Sequence, residues 1–378
     1  MHKYISRDNK LLVISDTKMV LNESEILAFG PVVIELEQML EIFDEITWIG
    51  FKHEKSNASL IPVKKDKIKI IALNKVGGKS IFDKLSIIAN YPKMGIIILK
   101  EIKKHKYIHS RAPSNPAVIA MIFSYLFPNK MFWFKYAGTW VDKASSFYQF
   151  QRKLLKQLLI NSIVTINGDY SNKKNILAFE NPCLSMLDRI EGRKIIDNKI
   201  NKTKKNYCFV GALSEDKGVD KILEAFIDIK SDLIGTVHLV GDGEERLHFE
   251  KMTKQVPQNI IFHGFLSKEK ISTIYEKSDF LILASKSEGF PKVIGEAMNF
   301  GCIPIVSNIS CISQYVIDSK NGYLIDPKSK SDLENKIYAS IKLNKIEYNN
   351  WVEYNYNFAE KFTYSYYKKR IVRDIFTF

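Results

Sequence analysis

Short apolar runs alternate with segments of helical length from one end of this chain to the other, and that alternation constrains the fold more than any other feature. Runs of this kind, apolar without a polar face, suit parallel strands covered by helices on both sides. In the first half they are LLVIS (11 to 15), ITWIG (46 to 50), KIIAL (69 to 73), KYIHS (106 to 110), FWFKY (132 to 136) and SIVTIN (162 to 167). In the second half they are YCFVG (207 to 211), TVHLVG (236 to 241), NIIFHG (259 to 264), FLILAS (280 to 285) and CIPIVS (302 to 307). At 378 residues the chain exceeds one ordinary core, and 46% apolar content supplies two. The expected class is α/β with two doubly wound parallel-sheet domains. Asn181-Pro182 marks a turn, and residues 188 to 206 are charged and weakly periodic, so the linker is placed there. The predicted boundaries are 1–190 for an N-terminal domain, 191–350 for a C-terminal domain, and 351–378 for a helix crossing back to the first.

The net charge of +14 is concentrated in residues 1 to 180, which hold 27 basic and 16 acidic side chains. Such a half attracts polyanions, whether nucleic acid, an anionic lipid surface or a phosphorylated substrate, although a solvated lysine-rich surface explains it as well. The N-terminal decapeptide has no apolar core of the secretory kind, and the apolar run 116 to 127 is shorter than the roughly 20 residues a spanning helix needs. Cys183, Cys208, Cys302 and Cys311 show no metal-ligand spacing, which points to a reducing, cytoplasmic setting. No D-x-D, G-x-S-x-G or Walker loop occurs, so a metal-independent chemistry with no cofactor is expected.

The segment KSEGFPKVIGEAMNFG, 286 to 301, lies between two strand-like runs. Pro291 suits a first helical turn and Gly301 a C-terminal cap, so a helix is predicted from about 291 to 300. Its first amides, at Gly289, Phe290 and beyond, together with the helix dipole, form a site for phosphate. Glu296 lies roughly 8 Å further along the axis at 1.5 Å per residue, about the reach from a pyrophosphate to a ribose. Glu288, in the loop, is placed to bind sugar hydroxyls. Two acids at this spacing are usually solvated surface groups. Here Glu296 flanks the apolar face formed by Val293, Ile294, Ala297 and Met298, which disfavours that reading.

This segment resembles the signature of the family 4 glycosyltransferases: Glu288, seven residues, then Glu296. VGALSEDKGVD (210 to 220), HLVGDGEER (238 to 246), FHGFLSKEKI (262 to 271), YEKSDFLILAS (275 to 285) and SKNGYLIDP (319 to 327) extend the resemblance in the expected order. It implies the GT-B fold, two Rossmann-like domains facing across a cleft, and transfer from a nucleotide-sugar donor with retained anomeric configuration. The donor, UDP- or GDP-linked, is a substrate. The implied donor site comprises Gly211, Lys217, Gly264, Phe265, Glu288, Gly289, Phe290, Pro291, Lys292, Val293 and Glu296. Glu288 would hold the donor sugar, Glu296 the ribose, and Lys217 the diphosphate, with Glu288 and Lys217 as the catalytic pair. Ala212 stands where the family commonly has an Arg, so half of the usual diphosphate clamp is missing unless Lys286 or Lys292 supplies it. The glycine-rich loop expected after the first strand is also absent, the chain reading SDTKMVLNESE there.

In the first half only IHSRAPSNP (108 to 116) and FKYAGTW (134 to 140) fit. His109, Arg111, Lys135 and Gly138 are the acceptor-side candidates, although a structural His, a surface Arg and core aromatics explain the same residues. Asn181 resembles a residue that shapes the domain junction. The expected acceptor is a glycan or lipid-linked glycan of a surface polysaccharide, lipopolysaccharide or capsule, and the basic half would suit peripheral contact with the inner face of the plasma membrane. Nucleic acid is not an expected partner. A non-catalytic sugar-binding protein, an epimerase or a phosphorylase on the same fold are the alternatives.

Overall fold

The computed structural model describes residues 9–22, 25–54, 59–64, 66–74, 81–142, 144–157, 162–199, 203–254, 256 and 258–376, with the backbone alone for 81–88. The decapeptide's first eight residues, residues 23 and 24 of the first loop and residues 200–202 of the expected linker lie outside these. Among the described residues, those up to Phe179 together with 368–376 form one compact unit, and 180–367 form the other.

The first unit contains β1 (Lys10–Leu21), β2 (Ile26–Phe29), α1 (Gly30–Met39), β3 (Glu45–Lys52), β4 (Leu60–Pro62), β5 (Ile68–Leu73), α2 (Ile81–Lys104), β6 (Tyr107–Ala112), α3 (Asn115–Leu126), β7 (Met131–Tyr136), α4 (Ser146–Gln157), β8 (Ser162–Ile166) and β9 (Ile176–Ala178). Strands β5, β3, β1, β6, β7, β8 and β9 pair in parallel in that order, while β2 and β4 add an antiparallel flap to the end of β1. The apolar run of β1 is fully buried, as strands covered on both faces require. Ser15 closes its carboxyl end, donating to the Ile49 carbonyl at 3.1 Å and accepting from Trp48 Nε1 at 2.9 Å.

The second unit contains α5 (Met186–Asn198), β10 (Lys205–Val210), α6 (Val219–Asp228), β11 (Ile234–Val240), α7 (Arg246–Met252), β12 (Asn259–Gly264), α8 (Lys268–Lys277), β13 (Phe280–Leu283), α9 (Lys292–Asn299), β14 (Ile303–Ser307), β15 (Tyr323–Ile325), α10 (Lys330–Lys342) and α11 (Lys345–Phe358). All six strands are parallel, in the order β12, β11, β10, β13, β14, β15. The order reverses between β10 and β13, so their carboxyl ends open a crevice where folds of this kind bind ligands.

Two expectations are corrected. Residues 188 to 198, read as linker, belong to α5, whose start is fixed by a capping box in which Ser185 accepts from the Asp188 amide and Asp188 accepts from the Ser185 amide. The segment from 351 is not one helix. It holds the end of α11, a 3₁₀ turn (Ala359–Phe362), α12 (Tyr364–Arg370) and a π-helical turn (Ile371–Ile375). Thr363 is extended because the chain pairs with Leu184 there: the Leu184 amide donates to the Phe362 carbonyl at 3.1 Å, and the Tyr364 amide to the Leu184 carbonyl at 2.9 Å. The last described residue, Phe376, sits edge-on to Phe43, Tyr107 and Trp133 in the first unit's core. No described helix is long and apolar enough to cross a membrane.

Candidate active site

The crevice of the second unit is built by close backbone contacts that only glycine permits. Gly218 takes φ +72° after the 3₁₀ turn Glu215–Lys217, and a Cβ there would lie 2.1 Å from the carbonyl oxygen of Ala284. The loop after β10 therefore presses on the loop after β13, and the Lys286 amide donates to the Asp216 carbonyl at 3.0 Å. Gly211 and Gly241 meet in the same way, since a Cβ on Gly241 would fall 1.8 Å from the Gly211 carbonyl oxygen. The Gly241 amide in turn donates to the Gly264 carbonyl at 2.9 Å. The G-x-G of VGDGEER is thus a turn that lets three strand ends converge.

This convergence carries Lys217 to Glu288, whose Oε1 lies 2.5 Å from the ammonium nitrogen. Glu288 is largely buried and Lys217 is one-third exposed. The next residues are anchored by their inner faces. The Cys311 thiol donates to the Gly289 carbonyl at 3.4 Å and Asn181 Nδ2 to the Phe290 carbonyl, also at 3.4 Å. The Phe290 ring is buried against Tyr315 and Phe362 at 4.5 and 5.1 Å between centroids. These residues can meet a ligand through backbone amides rather than through the ring. Pro291 is the residue before the first helical turn of α9, its side chain caps nothing, and Lys292 opens the helix.

Glu296 stands in the middle of α9, where Ile294, Ala297 and Met298 are fully buried and Val293 is half-buried. Burial raises its carboxyl above the usual carboxylate range, with Lys268 and Lys292 pulling it partly back. The Tyr275 hydroxyl of α8 donates to Glu296 Oε2 at 3.2 Å and fixes the carboxylate. Gly295 lets α9 settle on the 3₁₀ turn, since a Cβ would come within 2.8 Å of the Phe362 ring. Gly301 ends the helix at φ +74°.

At the end of β12, Phe265 is exposed, and Arg246 Nη1 comes within 2.9 Å of where a Gly264 Cβ would be. Arg246 is held by Glu250 at 2.7 Å. The sequence reading missed Arg246 and Tyr275. The first has a signal, a cation opening a helix just after a glycine turn. Tyr275 reads as an ordinary core aromatic. Of the cations considered in place of an Arg at Ala212, Lys286 lies 3.9 Å from Asp216 and is exposed.

The first-unit candidates divide. His109 is fully buried and stacked on Trp133 at 3.8 Å, and its Nδ1 faces the Trp133 carbonyl at 3.3 Å. Burial, then the Arg111 charge, lowers its pKa to about 3, so it is neutral. Lys135 is also interior, its ammonium 2.9 and 3.0 Å from the two oxygens of Glu35, itself fully buried. Neither is placed to touch an acceptor, because each is sealed in the core. Gly138 packs near the Tyr136 ring. Only Arg111 reaches an opening: it donates to Glu35 at 2.9 Å and lines, with Asp16, Lys18 and Pro113, a hollow of about 450 Å³ between the middle of β1 and the carboxyl end of β6. The sequence reading missed Glu35, although an acid that shares the apolar face of the helix GPVVIELEQM with Val32, Leu36 and Met39 is a signal for a buried ion pair.

Two such sheets and this glycine-built crevice define the GT-B architecture. Residues 192–358 match the family described as glycosyl transferases group 1. An uncharacterized 41.2 kDa protein in the cps region of Klebsiella pneumoniae is 24% identical, over 63% of this chain and 71% of its own. An uncharacterized glycosyltransferase of Methanocaldococcus jannaschii is 28% identical, over 71% of this chain and 69% of its own. The crystal structure of Anabaena HepE with UDP and glucose superposes with a TM-score of 0.67 at 15% identity, covering 98% of this chain and all of that one. The protein is a glycosyltransferase.

Proposed function

We propose that the chain moves a sugar from a UDP- or GDP-linked donor to a hydroxyl of a glycan or lipid-linked glycan in surface polysaccharide synthesis, with retention of configuration. The Lys217–Glu288 pair at the switch point carries this reading. It puts a cation and a hydroxyl-binding carboxylate where a sugar diphosphate would lie, beside the amides that open α9. Lys217 would turn from Glu288 to the diphosphate, leaving Glu288 to the sugar hydroxyls, while Glu296 takes the ribose. The bond from the anomeric carbon to the phosphate oxygen breaks, the acceptor oxygen bonds to that carbon on the same face, and its proton passes to the leaving phosphate. Charge growing on that phosphate is what Lys217 offsets. The cps-region relative supports a polysaccharide role, and the neighbour's complex with UDP and glucose supports uridine donors as the first to test.

A thermal-shift panel of UDP, GDP and their sugars on the wild type and on Glu296→Ala tests the site. A shift from one nucleotide class, lost in the variant, is expected. No shift, or equal shifts in both proteins, rejects the assignment. With that donor, the product distinguishes transfer from epimerisation or phosphorolysis, and its anomeric coupling reports retention.

A further inference from the structure

In place of the glycine-rich loop expected after the first strand, the chain builds a flap. The register of β1 against β3 shifts between Ile14 and Lys18. Beyond that shift β1 runs on to pair antiparallel with β2, and β2 pairs in turn with β4. Phe29 and Leu60, partners across the flap, line the hollow of about 450 Å³ together with Val32 and Pro113. The hollow lies within the range of small-molecule sites, roughly 300–1,000 Å³, and has their usual make-up, an apolar lining with a few fixed polar groups.

Those polar groups are cationic in sum. Arg111 donates to Glu35 Oε1 at 2.9 Å, and among the described residues no other side chain accepts from its guanidinium. Glu35 is already matched by Lys135, whose ammonium lies 2.9 and 3.0 Å from its two oxygens, so the charge of Arg111 is not cancelled there. Because Glu35 is buried and held from both sides, it also fixes where the guanidinium stands. Lys18 and Asp16 are exposed at the hollow, and Asp16 lies beside Arg111 without an ion pair between them. Arg111, Lys135 and Lys18 thus face two carboxylates, Glu35 and Asp16, which leaves one positive charge. A phosphate monoester, with about −1.5 to −2 charge at neutral pH, exceeds that balance and would crowd Asp16. A carboxylate carries a single charge, and its two oxygens match the planar guanidinium fork.

We infer that this hollow receives a hexuronic acid of the acceptor glycan, with Arg111 on the carboxylate and the flap against the sugar ring. That the uronate belongs to an acceptor rests on the transfer reading above. NMR titration of the full chain with methyl glycosides that differ only at C6 tests it, in the gluco and galacto series: the uronide, the neutral hexoside and its 6-phosphate. One uronide is expected to bind about tenfold or more tighter than its two counterparts. Arg111→Gln should weaken uronide binding by about tenfold or more, the usual loss when a charge-assisted hydrogen bond goes, and leave the neutral hexoside unaffected. Lys18→Glu, which reverses the sign of the local balance, should weaken it in the same direction, and an unchanged unfolding midpoint shows that this exposed variant is folded. Equal binding of the three glycosides, a preference for the 6-phosphate that persists in Lys217→Ala, no uronide binding in either series, or undiminished binding by both variants overturns the inference. The nucleotide thermal shift is read on the same samples, and uronide binding without any nucleotide shift sinks the donor assignment alone.

Discussion

The ammonium of Lys217 and the carboxylate of Glu288 meet at 2.5 Å although they stand 71 residues apart. The pair exists because Gly218, in a left-handed conformation, lets the Lys217 turn lie against the strand end that leads to Glu288. Lys217→Ala is expected to lower kcat by about a hundred- to a thousandfold, the usual effect of losing one group that stabilises charge growing in the transition state. Folding stability should change by less than about 1 kcal/mol, because the lysine is partly solvated. Initial rates with the donor found by screening, beside urea denaturation, check both. A variant as active as wild type ends the catalytic role.

Gly218→Ala should cost about 2–4 kcal/mol, from left-handed strain and a backbone clash that no side-chain rotation relieves. Gly95→Ala is the opposite case. It lies in α2 with nothing among the described residues within 4 Å of its would-be Cβ, and should stabilise by about 0.5–1 kcal/mol. Thermal unfolding of the two variants should move in opposite directions.

Glu35→Gln strips the carboxylate shared by Lys135 and Arg111 and should destabilise by about 3 kcal/mol or more. Adding Lys135→Met should restore part of the loss, since the buried ammonium goes with it. If urea midpoints show the single variant as stable as wild type, the ion pair is not a structural support of the first unit.

His109 holds its neutral form in the fold down to about pH 3, whereas the unfolded chain protonates it near 6.5. Its folded pKa lies below its unfolded one, so acid favours unfolding between those values, by about 1.4 kcal/mol per pH unit at most. His109→Phe keeps a ring against Trp133 and should flatten the loss of stability between pH 6.5 and 4. An equal slope in both proteins would assign that acid sensitivity to other groups.

The strand, loop and helix around Glu288 and Glu296 were legible because their determinants are local. Glu288 to Glu296 is a loop followed by helical turns, and glycines at 218, 241, 264 and 301 mark backbone that bends or packs closely. The first half was misread at His109 and Lys135 because a strand residue's polarity does not say whether the interior offers a partner. Glu35, on a different element, turns Lys135 inward. The linker was misplaced for a related reason: a charged, weakly periodic stretch still folds as a helix when a capping box starts it.

By itself the sequence determined the order of parallel strands and helices, two sheets, and the loop and helix of residues 286 to 301, since periodicity and turn residues act over a few positions. Tertiary structure decided which charged groups meet. Lys217 reaches Glu288, Tyr275 holds Glu296, and Lys135 is consumed by Glu35, because such pairings depend on distances between elements far apart in the chain.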